Sequence, residues 1–71
     1  MYDYTKAMDA VVDSVIAVAI LSASNEHAMM ALKFAAAGNM EIAKFEMDLS
    51  ERLNNIAEQY HESVPEEYRT I

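Results

Sequence analysis

Val15-Ile16-Ala17-Val18-Ala19-Ile20-Leu21 is seven apolar residues without a break. Wound into a helix, this run is apolar on every side. A helix apolar all round is stable only where every side is covered. The chain has 71 residues, which is little material to wrap around one helix. Chains of this size have marginal cores and usually need disulfides, a metal or self-association. Cysteine is absent, which removes disulfides and thiolate metal sites. Two histidines are few ligands for a structural metal. The run therefore predicts a helical chain whose first helix is covered by a second copy or another protein.

Working outward, only Gly38 and Pro65 punctuate the chain. Between them alanine, leucine, methionine and glutamate dominate, all good helix formers. Gly38-Asn39 suits a left-handed helix stop followed by an asparagine N-cap. Glu41 then sits in the first turn, at the positive end of the helix dipole. Pro65 ends the second helix near Ser63 or Val64, because the residue before proline avoids the helical region. A single domain over 1–64 and a C-terminal tail over 65–71 follow. The fold class is all-α: a hairpin of two long helices forming a dimeric or higher-order bundle.

The second helix, about 39–63, carries an apolar stripe at Ile42, Phe45, Leu49, Leu53, Ile56 and Tyr60, spaced by three and four. Ala43, Met47, Ala57 and Val64 widen it. Lys44, Asp48 and Arg52 form a ladder of alternating sign on the solvated side. In the first helix a stripe runs through Val12, Ile16, Ala19, Ala23, His27, Met30, Phe34 and Ala37. Its phase favours one continuous helix. Ser22, Ser24, Asn25 and Glu26 instead allow a break near 22–25 with a new cap. An unbroken helix gives a hairpin that must dimerise, and a broken one gives a three-helix bundle. The residues expected at a self-association seam are Val12, Val15, Ile16, Ala19, Ile20, Ala23 and His27. A histidine buried there would make association sensitive to pH.

Twelve acidic and five basic residues give a net charge of −7. Residues 1–38 hold four acids and two bases, or −2; residues 39–71 hold eight and three, or −5. Phosphate binding needs clustered Lys and Arg, and here the bases stand singly among acids. Direct binding of nucleic acid or an anionic membrane is disfavoured. The segment before the apolar run bears Asp3, Asp9 and Asp13 where a secretory signal is basic. The densest apolar stretch, 10–23, is shorter than the ~20 residues of a membrane span. The expected location is cytoplasmic, with no membrane partner.

Chemistry-bearing patterns are sparse. Glu58 and His61 form a Glu-x-x-His pair, a spacing used in di-metal helical bundles, but no second pair accompanies it, and no metal or other cofactor is expected. The five serines lack a histidine–acid partner, and one glycine cannot build a phosphate loop. No enzyme is expected. Met29, Met30 and Phe34 offer an adaptable apolar contact surface. Glu58, Glu62, Glu66 and Glu67 crowd the end of the second helix, where carboxylates oppose the helix dipole. Together these seven residues are the candidate contacts for a partner protein with a basic surface.

Ala28 to Ala43 resembles the first helical hairpin of the lactose/cellobiose-type phosphotransferase IIA proteins, which are trimeric helical phosphocarriers. The shared elements are the Ala-Leu ending of one helix, the Gly-Asn turn and the Glu-x-Ala opening of the next. The family's phosphorylated histidine falls near Glu58 here, its following Gln-Thr is missing, and so is the third helix. The resemblance therefore implies a shared hairpin and not the phosphocarrier activity. The functional expectation is a small acidic protein that binds another protein and regulates or inhibits it. By analogy alone, such chains suit bacterial or phage regulators, including antagonists of host defence. The alternatives are a structural self-assembling subunit and an acidic nucleic-acid mimic filling a basic cleft.

Overall fold

The computed structural model describes residues 3–64. Among them the chain forms two helices and no strand: α1, Tyr4–Ala36, and α2, Met40–Ser63. They pair as one antiparallel hairpin. α1 is a single helix of 33 residues, about 50 Å long at ~1.5 Å per residue. Of the two alternatives for 22–25, the continuous helix is the one that forms. Ser24 starts no new helix because its hydroxyl is engaged across the hairpin, as described below. The tail over 65–71 lies outside the described residues.

Each boundary has a local cause. Asp3 caps α1, its carboxylate accepting the Lys6 backbone N–H at 3.0 Å. At the other end Gly38 adopts φ +84°, the left-handed region that glycine enters without a Cβ penalty. Its N–H donates to the Ala35 carbonyl at 3.0 Å, and the Asn39 N–H donates to Phe34 at 2.9 Å. These two bonds are the paired Schellman closure of a helix C-terminus. Asn39 then caps α2, accepting the Ile42 N–H at 3.2 Å. One residue thus closes one helix and opens the next, which keeps the connection to three residues and forces the helices antiparallel.

The seam between the helices is made of small residues at a strict spacing of seven. On α1 the buried positions are Ala10, Ala17, Ser24 and Ala31, with Ala7 beside them; on α2 they are Ala43, Ser50 and Ala57, with Glu46 beside them, and Val64 continues the row just past the helix end. A repeat of seven keeps one face turned to a partner when helices supercoil slightly. Ser24 and Ser50 meet at the middle of the seam. Their register sets Ala31 opposite Ala43, Ala17 opposite Ala57 and Ala10 opposite Val64. Side chains this short let two helices approach at the low end of the usual ~8–10 Å range.

This packing face differs from the apolar stripes read off the sequence. Val12 and Ala19 are exposed, while Ile16, Ala23, His27 and Phe34 are half-buried. On α2, Ile42, Phe45 and Tyr60 are exposed and Leu49, Leu53 and Ile56 half-buried. The large apolar residues flank the hairpin seam, and alanine and serine fill it. Close approach of the two backbones outweighs side-chain size as the organising term, because large residues at the centre would hold the helices apart and forfeit the contacts of everything beside them.

Candidate functional site

The Ser24 hydroxyl donates to the Ser50 carbonyl at 2.7 Å, and the Ser50 hydroxyl donates to the Ser24 carbonyl at 2.8 Å. Each hydroxyl has one proton, so both are used in this exchange. The two oxygens lie 3.0 Å apart. One turn away, His27 Nδ1 contacts the Glu46 carboxylate. Glu46 is 8% exposed, and a buried carboxylate without a partner is costly. His27 therefore partners Glu46 within one hairpin. Among the described residues, no buried side-chain polar atom lacks a hydrogen-bond partner.

The His27–Glu46 contact also orients the wheel of each helix. His27 lies three residues after seam residue Ser24, and Glu46 three after Ala43. Residues at these positions therefore share one side of the hairpin. Ile20 and Phe34 repeat the position of His27 at intervals of seven, and Leu53 repeats that of Glu46. Ile16 and Ala23 lie next to them on α1, with Leu49 and Ile56 on α2. All seven are half-buried. They form an apolar side that α2 covers only in part. Four of the expected self-association residues, Ile16, Ile20, Ala23 and His27, lie on it. Val12, Val15 and Ala19 are exposed and lie farther round α1.

The other side of α1 is more open. Val11, Val15 and Val18 are 62–63% exposed, and Leu32 is 67% exposed. The whole chain exposes 5532 Å². A compact monomer of its mass, 8.0 kDa, exposes about 4,450 Å². The excess is on the order of 1,000 Å². α1 is also long and apolar enough to cross a membrane: an 18-residue window has mean hydropathy 1.7, and 22% of that window is buried inside the hairpin. The 10–23 stretch taken alone understated this property. Core helices of water-soluble bundles share it, as do signal sequences.

Of the expected partner contacts, Met29 and Met30 are exposed and Phe34 is half-buried. Met30 and Phe34 are four residues apart on one side, and Met29 is rotated about a quarter turn away. Glu58 and Glu62 are exposed near the end of α2; Glu66 and Glu67 lie outside the described residues. The antiparallel hairpin brings Asp3, Asp9 and Asp13 to the same end as Glu58 and Glu62, with Lys6 among them. Five acids thus gather at the open end from both helices. On the outer face of α2, Lys44 bonds Asp48 at 2.8 Å, and this hydrogen bond and charge raise the lysine pKa. Among the described residues no group of three His, Asp or Glu side chains could hold a metal ion. The depression beside Phe45, Leu49 and Arg52 is wide open and has a wall on one helix only.

Sequence reasoning missed Ser24, Glu46 and Ser50, the polar residues at the heart of the hairpin. The available signal was the interval of seven that links Ala10, Ala17, Ser24 and Ala31, and again Ala43, Ser50 and Ala57. No protein-family model matches the chain, and no curated protein or solved structure matches it.

Proposed function

We propose that this chain is a non-enzymatic helical interaction module that works as a dimer or larger assembly and regulates a partner protein by binding it. One observation carries the proposal: α1 leaves large apolar residues uncovered on two sides, with α2 already in place. Scattered exposed apolar residues are ordinary, but contiguous apolar surface of this extent marks a contact site. Covering it with a second molecule takes that apolar surface out of water.

The acidic open end supplies the second contact. Asp3, Asp9, Asp13, Glu58 and Glu62 present negative charge, which suits a partner with a basic surface. Met30 and Phe34 add an apolar anchor near the other end. The proposed location is cytoplasmic, and inhibition of a bacterial or phage-related defence component is the role such chains suit by analogy.

The test is affinity capture with the tagged chain. Glu58→Gln and Glu62→Gln together weaken capture of the partner and flatten its salt dependence, while the circular dichroism stays that of a helical hairpin. Capture equal to that of the unaltered chain removes the acidic end from the proposal. Mass measured over a range of concentrations separates a closed regulator from a structural subunit, which grows without limit.

A further inference from the structure

The outward side of α1 follows a rule stricter than general apolarity. Exposed residues recur at positions 4, 8, 11, 15, 18, 22, 25, 29, 32 and 36, in alternating steps of four and three. None of the ten is charged. Seven are large and apolar, each 51–69% exposed. This is the two-in-seven seam of a coiled coil, repeating every 3.5 residues. It lies roughly a third of a turn round α1 from the Ala10–Ala31 seam that α2 occupies.

We infer that this seam binds the same seam of a second copy of the chain, with the two α1 helices antiparallel and Asn25 of each copy beside Ser22 of the other. The inference rests on the reading above that the chain self-associates, and it names the surface that does so. Three observations select this occupant. First, the period suits a helix with the same repeat, since knobs-into-holes packing needs matching intervals on both sides. A lipid surface imposes no such period. Second, the only two polar positions, Ser22 and Asn25, are neighbours near the middle. Pairing Asn25 with Ser22 satisfies both, and the same register sets Val18 opposite Met29 and Val15 opposite Leu32. A polar residue inside an apolar seam specifies register in this way. Third, the area is sufficient. In this register Val11, Val15, Val18, Met29 and Leu32 lie within the overlap of the two α1 helices; at roughly 100 Å² each, one copy buries about 500 Å² and the pair about 1,000 Å², the size a specific interface reaches.

Charge chooses the direction. Among the described residues, the open end of the hairpin holds five acids and Lys6. Parallel helices would bring two such ends together, and antiparallel helices keep them apart.

The absence of cysteine makes the test direct. The Val18→Cys and Met29→Cys variants of the full chain are mixed and oxidised gently. The inferred register predicts a heterodisulfide between the two variants in excess over either homodisulfide. Predominant homodisulfides indicate a parallel pair and overturn the inference. In parallel, sedimentation of Val15→Glu with Val18→Glu is expected to show association weakened by at least about 100-fold, with helicity retained. If that variant fails to fold, the disulfide pattern decides. Ile16→Glu abolishing the dimer while the Val15/Val18 variant keeps it overturns the seam and leaves self-association standing. A wild-type monomer at all concentrations overturns both. Insertion of the wild-type chain into phosphatidylcholine vesicles, in place of dimerisation in buffer, assigns the seam to lipid and also overturns the inference.

Discussion

Ser24 and Ser50 each donate a hydroxyl proton to the other's backbone carbonyl, at 2.7 and 2.8 Å. A serine hydroxyl is too short to reach a backbone oxygen on a neighbouring helix unless the two backbones are close. The pair therefore records the tightness of the whole alanine seam and locks its register at one point. Replacing Ser50 with Leu forces the helices apart and is expected to cost about 1–3 kcal/mol or more. Ser24→Ala keeps the approach and loses one hydrogen bond, about 0.5–1.5 kcal/mol. Urea unfolding of both variants checks the order; an equal cost would show that the approach is not tight.

His27 and Glu46 are a coupled pair across the same seam. His27→Ala leaves a buried carboxylate without its partner and is expected to cost about 1–3 kcal/mol. Adding Glu46→Leu to that variant restores much of the loss, since apolar replacement of both partners is often tolerated. A double-mutant cycle measures the coupling. Additive losses would mean that the contact contributes nothing.

Gly38→Ala isolates backbone strain. A Cβ at this position meets nothing within 4 Å, so sterics against neighbours are absent. The positive φ alone sets the cost, about 1 kcal/mol. In a domain of this size the melting temperature is expected to fall by about 4–8 °C. An unchanged melting temperature would show that the turn does not constrain the hairpin.

Lys44 and Asp48 give a pH signature of known sign. The lysine pKa is raised above its ordinary 10.5 by the hydrogen bond and charge of Asp48. The pair's contribution is fully present below that ordinary value and fades as pH climbs through the raised one. Both side chains are exposed, so the effect on stability is small. Nuclear magnetic resonance titration of Lys44 is expected to move back toward 10.5 in Asp48→Asn. A midpoint that does not move would show that the pair is not formed in solution.

The two helices and their turn were legible because their signals are local. Gly38 and Asn39 act through backbone geometry that one or two residues decide, and α2 ends at Val64, ψ 124°, where the residue before a proline is expected to leave the helical region. The hairpin seam was not legible from apolar size. Val15, Ile16 and Val18 are among the most hydrophobic residues of α1, yet Ala17 and Ser24 are the ones buried. Size ranks residues by how much they gain from burial, whereas helix–helix distance depends on how little the central residues occupy. The continuity of α1 through Ser22, Ser24 and Asn25 was ambiguous for a related reason. Serine and asparagine cap helices as readily as they join seams, and only the partner helix decides which. Of the candidate site, the exposed apolar surface of α1 was visible as an unbroken apolar run, but its division into two sides needed the position of α2.

The most direct test of the central claim is sedimentation equilibrium of the untagged chain from micromolar to about millimolar concentration, combined with thermal melting of each sample. α1 has more apolar surface than α2 can cover, so a mass of two or more copies is expected, with a melting temperature that rises with concentration. A single copy that melts cooperatively at one temperature throughout this range would contradict the account.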